Sequence, residues 1–141
     1  MNKVNAHVKS ILVLLVFSSL LTGCVDDPEI NSFERAEVLT ADVPDTLVTG
    51  ETYSIPLTFK LPTTCHSFDK FNIEEDPGEV FVSAVIKFED NFNCENNNNS
   101  TGQADLEYTV TKETDFRFRF FQKSQNNQIT YLDKEVVVKT E

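Results

Sequence analysis

From residue 53 onward, apolar and polar side chains alternate with a period of two. Tyr53, Ile55, Leu57, Phe59 and Leu61 are separated by Ser54, Pro56, Thr58 and Lys60. Such alternation predicts a strand with one face on a core and one in solvent. Pro56 cannot donate to a ladder, so an edge or a bulge is expected there. The same pattern recurs at Val80, Val82, Ala84, Ile86 and Phe88, where Phe81 and Val85 suggest partial cover of the second face. It recurs again at Ala104, Leu106, Tyr108 and Val110, with Asp105, Glu107 and Thr109 outward. Phe116, Phe118 and Phe120 alternate with Arg117 and Arg119, and a last strand ends in Val136, Val137 and Val138. Two less regular strands are expected at residues 36–43 and 65–73, the second with Phe68, Phe71 and Ile73 as core candidates.

Turn chemistry separates these runs. Gly50 lies in Val48-Thr49-Gly50-Glu51, and Asp76-Pro77-Gly78-Glu79 combines a proline that fixes φ with a glycine that accepts positive φ. An asparagine-rich loop occupies residues 95–102, and a polar loop residues 124–128. No segment carries a helical period. About seven short strands with turns between them predict an all-β sandwich. The later part of the chain, with its corner at Lys112-Glu113-Thr114 and its phenylalanine-rich strand, resembles strands E, F and G of an immunoglobulin-like domain. The antibody pattern itself is absent: the chain has no tryptophan, and Cys65 and Cys94 do not match the central strand pair that carries the antibody disulfide.

The N-terminal pattern is different. Lys3 and Lys9 precede an apolar run at residues 11–21, which ends in Leu21-Thr22-Gly23-Cys24 and gives way at once to Asp26, Asp27, Pro28 and Glu29. The run is too short for a membrane-spanning helix and suits the apolar region of a signal peptide. This order of charge, apolar run, small residues and cysteine resembles a bacterial lipoprotein signal. The resemblance implies cleavage after Gly23, a diacylglycerol thioether on Cys24 and an added N-acyl chain. Several chains are needed because one alone holds a protein only marginally. The implied organisation is a signal peptide at 1–23, a lipidated cysteine and tether at 24–35, and an immunoglobulin-like domain at 36–141. Asp26, Asp27 and Glu29 also resemble the surface-export signals of Bacteroidetes lipoproteins. The expected location is the bacterial outer membrane, periplasmic or surface-exposed, with the lipid bilayer as a partner through Cys24. An ordinary cleaved secretory signal, or a short anchor, is the alternative.

Removing 23 residues from 141 leaves 118, enough for one domain. Two lysines leave with the signal, so the net charge passes from −11 to −13. That balance excludes a basic nucleic-acid-binding face and suits a basic partner. Export places Cys65 and Cys94 where disulfides persist, and a lone pair has one possible connection. A metal site of Cys65, His66 and Cys94 is the competing reading, but it lacks the close ligand pairs and the fourth ligand of zinc sites.

Other candidate chemistry is sparse. Gly50, Gly78 and Gly102 sit at turns or beside loops, and no phosphate loop, nucleophile elbow or zinc-protease motif occurs. His66 has no triad context. Glu74, Glu75, Asp76 and Glu79 form one acidic group, and Glu89, Asp90, Asn91, Asn93 and Glu95 another; neither has the EF-hand spacing for calcium. Arg117, Arg119 and Lys123 make a basic stripe, expected to pair with outward acids such as Glu107 or Glu135. Without tryptophan, a carbohydrate platform would fall to Tyr53, Tyr108, Tyr131 or an exposed phenylalanine. Asn98 and Asn99 satisfy the N-glycosylation triplet, and Asp45-Thr46-Leu47 resembles the O-glycosylation triplet of Bacteroidetes envelope proteins. No cofactor and no enzymatic activity are expected. The reading is a non-enzymatic accessory or binding module of the envelope, whose contact regions are the acidic turn and the asparagine-rich loop. The alternative is an inhibitor of a basic wall-attacking enzyme such as lysozyme.

Overall fold

A computed structural model describes residues 32–89, 93–96, 100–126 and 128–140. Nine strands are present: β1 (Ser32–Ala36), β2 (Val38–Ala41), β3 (Thr46–Val48), β4 (Thr52–Lys60), β5 (His66–Asp76), β6 (Glu79–Phe88), β7 (Thr101–Thr109), β8 (Phe116–Gln125) and β9 (Gln128–Lys139). They form two sheets. The larger runs β1-β6-β8-β9-β3, with β5 also on β6; the smaller runs β2-β4-β7. The expected all-β sandwich therefore holds, with nine strands rather than seven. β7, on the smaller sheet, is followed by the antiparallel pair β8 and β9 on the larger, where β8 also pairs in parallel with β6.

The alternating runs behave as their pattern requires. On β4, Ile55, Leu57 and Phe59 are buried; on β6, Val80, Val82, Ala84 and Ile86; on β7, Leu106 and Tyr108; on β8, Phe116, Phe118 and Phe120. These side chains from both sheets make one core with Val38, Leu47, Val110 and Val136. Aromatic contacts tie the sheets together. Tyr108 of β7 lies 5.0 Å from Phe118 of β8, and Phe59 of β4 lies 6.5 Å from Phe71 of β5. Gly102 is in β7 rather than in the loop before it. It stands opposite Phe59, whose ring lies where a Cβ would go, with Cζ only 2.9 Å from that point. The missing side chain is what lets this phenylalanine cover the neighbouring backbone. Gly50 and Gly78 have φ of +87° and +79°, as their turns demand.

Four expectations need correction. First, residues 32–35, placed in the tether, form β1 with Ala36. Their side chains are exposed, so no alternation marks them. Second, residues 36–43 are not one strand. The chain leaves β6 at Ala36, opposite Ala84, and joins β4 in the other sheet from Val38, opposite Phe59. Third, β3 escaped the pattern because it has three residues; it pairs in parallel with β9 and buries Leu47. Fourth, Phe68 and Ile73 are each 37% exposed rather than in the core. β5 lies at the edge of its sheet, and a register shift between Phe68 and Lys70 breaks the alternation there.

Pro56 sits in the central strand of the small sheet, yet no β7 bond is lost. Its carbonyl accepts from Asp42 N at 3.1 Å on the β2 side. The N–H and C=O of an extended residue point the same way, so the missing donor also faces that side. There the β2 ladder stops at Ala41, opposite Leu57. The edge expected at Pro56 is thus local.

Candidate functional site

Cys65 and Cys94 are bonded to each other, with Cα atoms 5.4 Å apart, inside the usual span for a bridge. Backbone bonds flank them. Thr64 N donates to Glu95 O at 3.1 Å, Glu89 N donates to Cys65 O at 3.1 Å, and Thr63 bridges to Asn96. The disulfide removes both sulfurs as thiolate ligands, which disposes of the Cys65–His66–Cys94 metal reading. His66 has partners of its own: Nε2 lies 3.0 Å from Glu34 Oε1 and Nδ1 2.7 Å from Thr63 Oγ1, while its ring is 5.0 Å from that of Phe88. It joins β1 and the turn before β5, a structural post.

The acidic residues at 74–79 are dispersed rather than convergent. Successive strand residues point to opposite faces, and each carboxylate has a different neighbour. Glu74 accepts from Asn72 Nδ2 at 3.0 Å, Glu75 pairs with Lys112 Nζ at 3.1 Å, and Glu79 lies 3.4 Å from Arg119. Of the second acidic group, Asp90 and Asn91 lie outside the described residues, and Glu89 pairs with Lys87 at 2.8 Å. Among the described residues, no group of three or more His, Cys, Asp or Glu converges as for a metal. Cys24, the tether at 25–31 and Asn98–Asn99 also lie outside the described residues. Thr46 is half-buried on β3.

The arginines pair across the sheet. Arg117 stands opposite Glu135 and reaches it at 2.6 Å, which raises the arginine's pKa; Arg119 stands opposite Asp133 and reaches it at 3.3 Å. Of the two acids expected as partners, Glu135 is one and Glu107, in the other sheet, is not. Arg119 also lies over the rings of Tyr131 at 4.5 Å and Phe81 at 5.4 Å. This stack is the cover on the second face of β6.

The three tyrosines have separate tasks. Tyr53 donates to Glu51 at 2.7 Å and accepts from Val48 N at 3.0 Å, and the Glu51 bond raises its pKa. Tyr108 is in the core. Burial, with Glu75 second, pushes its hydroxyl up to about 12. Tyr131 has its face covered by Arg119, so none of the three offers a free carbohydrate platform.

What remains open is one long side of the sandwich. Among the described residues, β5 pairs only with β6 and β7 only with β4, so each leaves an unpaired row of N–H and C=O groups. β5 has eleven residues, nine of them exposed. Phe68 and Ile73 are partly exposed beside this edge, and the Phe68 ring lies 5.2 Å from that of Phe59 and 4.7 Å from that of Phe71. Asp69, Glu74, Glu75 and Asp76 make the strip acidic, against the single Lys70. An edge this long is a template for another strand. The acidic turn, expected as a contact region, ends this free edge, which the sequence pattern marks only by the irregular alternation at 65–73.

No protein-family profile, curated protein or solved structure matches this chain.

Proposed function

We propose that the chain is an outer-membrane lipoprotein, anchored through acyl chains on Cys24. On this reading its sandwich is a non-enzymatic binding module. It docks a cationic, extended segment of an envelope protein along the free edge of β5. The observation that carries this is the eleven-residue strand whose outer edge has no partner among the described residues, with Phe68 and Ile73 partly exposed beside it. Main-chain bonds would supply affinity, and side chains of alternate residues specificity. The sign of the partner follows from charge: four acids against one lysine on β5, in a chain of net charge −11. Only seven residues separate Cys24 from Ser32. Their extended reach of about 28 Å keeps the domain close to the membrane.

The same charge favours a second reading, inhibition of a basic wall-attacking enzyme such as lysozyme. Electrostatic steering would speed that encounter, and salt would weaken it.

The test uses Asp69→Lys/Glu74→Lys, which reverses charge on the edge at exposed positions and spares the core. The intact lipoprotein, purified from its own membrane, should retain an envelope protein that cross-links to residues on β5. The double variant should lose it about tenfold or more, the equivalent of roughly 1.4 kcal/mol. Equal retention by the variant, or cross-links confined to other faces, would refute edge docking. If the captured protein is a wall-degrading enzyme whose activity falls on binding, the inhibitor reading replaces the accessory one.

A further inference from the structure

A second opening lies on the larger sheet, and its origin is topological. β6 lends one edge to two different strands. Residues 79–82 pair in parallel with β8, and residues 84–88 pair antiparallel with β1, while β5 occupies the opposite edge. β1 and β8 must therefore part company at Ser83. Past Phe121, β8 also slips register against β9. The result is an open cleft of about 590 Å³ between β1, the end of β4 and β8. That volume is within the range of small-molecule sites, roughly 300–1,000 Å³.

The lining is unlike the rest of this acidic chain. Arg35, Lys60 and Lys123 face the cleft, together with the apolar Leu61, Pro62 and Phe121. The two carboxylates present, Glu34 and Glu37, are already engaged. Glu34 lies 3.0 Å from His66, and Glu37 2.8 Å from Lys60. Arg35 and Lys123 have no carboxylate within ion-pair distance among the described residues. Every other arginine described has one: Arg117 has Glu135, and Arg119 has Asp133. Instead, the Arg35 guanidinium lies 5.9 Å from the Phe121 ring centroid, bridging the fork. Two uncompensated cations beside an apolar wall describe the recognition surface for an anion attached to an apolar body.

We infer that the cleft between β1 and β8 binds a small organic anion, with its phosphate or carboxylate group on Arg35 and Lys123 and its apolar part on Phe121, Leu61 and Pro62. The guanidinium fork suits two parallel bonds to either group, and Lys123 adds a point charge. The site shares no residue with the β5 edge, so either proposal can fail without the other.

The test is a titration of the intact protein in detergent with phenyl phosphate, followed by amide chemical shifts. Saturable shifts should gather at residues 34–37, 60–61 and 121–123. Arg35→Gln and Lys123→Gln should each weaken binding by about tenfold, as expected for loss of one charge-assisted contact. Both side chains are exposed, so the remaining spectrum should be unchanged, which reports intact folding. Phenol, which lacks the charge, should give no saturable shift, and inorganic phosphate, which lacks the ring, should bind more weakly. Equal response to phenol, shifts scattered over the surface, or unaltered affinity in both variants would overturn the assignment.

Discussion

Replacing Phe118 by alanine should cost about 3–5 kcal/mol of unfolding free energy, the usual range for a fully buried phenylalanine. Phe118 is fully buried, and three rings surround it. Tyr108 lies at 5.0 Å, Phe116 at 5.1 Å and Phe120 at 5.6 Å. Tyr108 belongs to the opposite sheet, so the deletion opens a void where the two layers meet. Neighbours on two hydrogen-bonded sheets cannot collapse far into that void, which places the cost toward the upper end. Small domains have only about 5–15 kcal/mol in hand, so the variant should be close to unfolding at growth temperature. Urea titration of the two proteins checks this, with Phe33→Ala as control. Phe33 is 56% exposed on β1, and its loss should move the midpoint little. A Phe118→Ala cost below about 1 kcal/mol would mean that the sheets do not pack through this ring.

Loss of the Cys65–Cys94 bridge should cost about 3–4 kcal/mol, from the chain entropy returned to the unfolded state. The sequence separation is 29 residues, and that loop length sets the estimate. A second effect is local. The bridge fastens the asparagine-rich loop beside the turn that carries Thr63, Thr64 and His66, where Thr64 N and Glu95 O are joined at 3.1 Å. Cys65→Ala/Cys94→Ala avoids a lone thiol and should match the reduced wild type in a denaturant melt. Amide exchange should rise first at residues 63–66 and 94–96. A reduced protein as stable as the oxidised one would contradict this account of the bridge.

These outcomes also show where pattern alone suffices. β4, β6, β7 and β8 were legible because each has one face on the core and one in water, and two-period alternation records that asymmetry directly. β1 was not, because Ser32, Phe33, Glu34 and Arg35 are exposed on both faces. Nothing in such a stretch distinguishes an edge strand from a tether. The sheet switch at Glu37 was invisible for a related reason: hydrophobic periodicity reports which face is buried, not which sheet buries it. In β5 the periodicity itself is broken by the register shift between Phe68 and Lys70 and by the strand's place at the edge of its sheet.

The site residues divide in the same way. The disulfide followed from an isolated cysteine pair together with the expectation of export. Arg117 with Glu135 followed from outward positions on neighbouring strands. Arg35 could not be singled out, since its lack of an acid partner depends on β1 and β8 sharing one edge of β6. That pairing is a long-range fact of topology. The free edge of β5 depends likewise on its having β6 as its one ladder partner among the described residues.

The proposed function rests on one premise, that this sandwich is held at a membrane by Cys24. Mass spectrometry of the N-terminal peptide of the protein purified from its own cells tests it most directly. The account predicts that the mature chain begins at Cys24, carries a diacylglycerol thioether and an N-linked acyl chain, and leaves the membrane when Cys24→Ser is introduced. A wild-type chain that begins elsewhere or carries an unmodified Cys24, or a Cys24→Ser variant that stays membrane-bound, would contradict it.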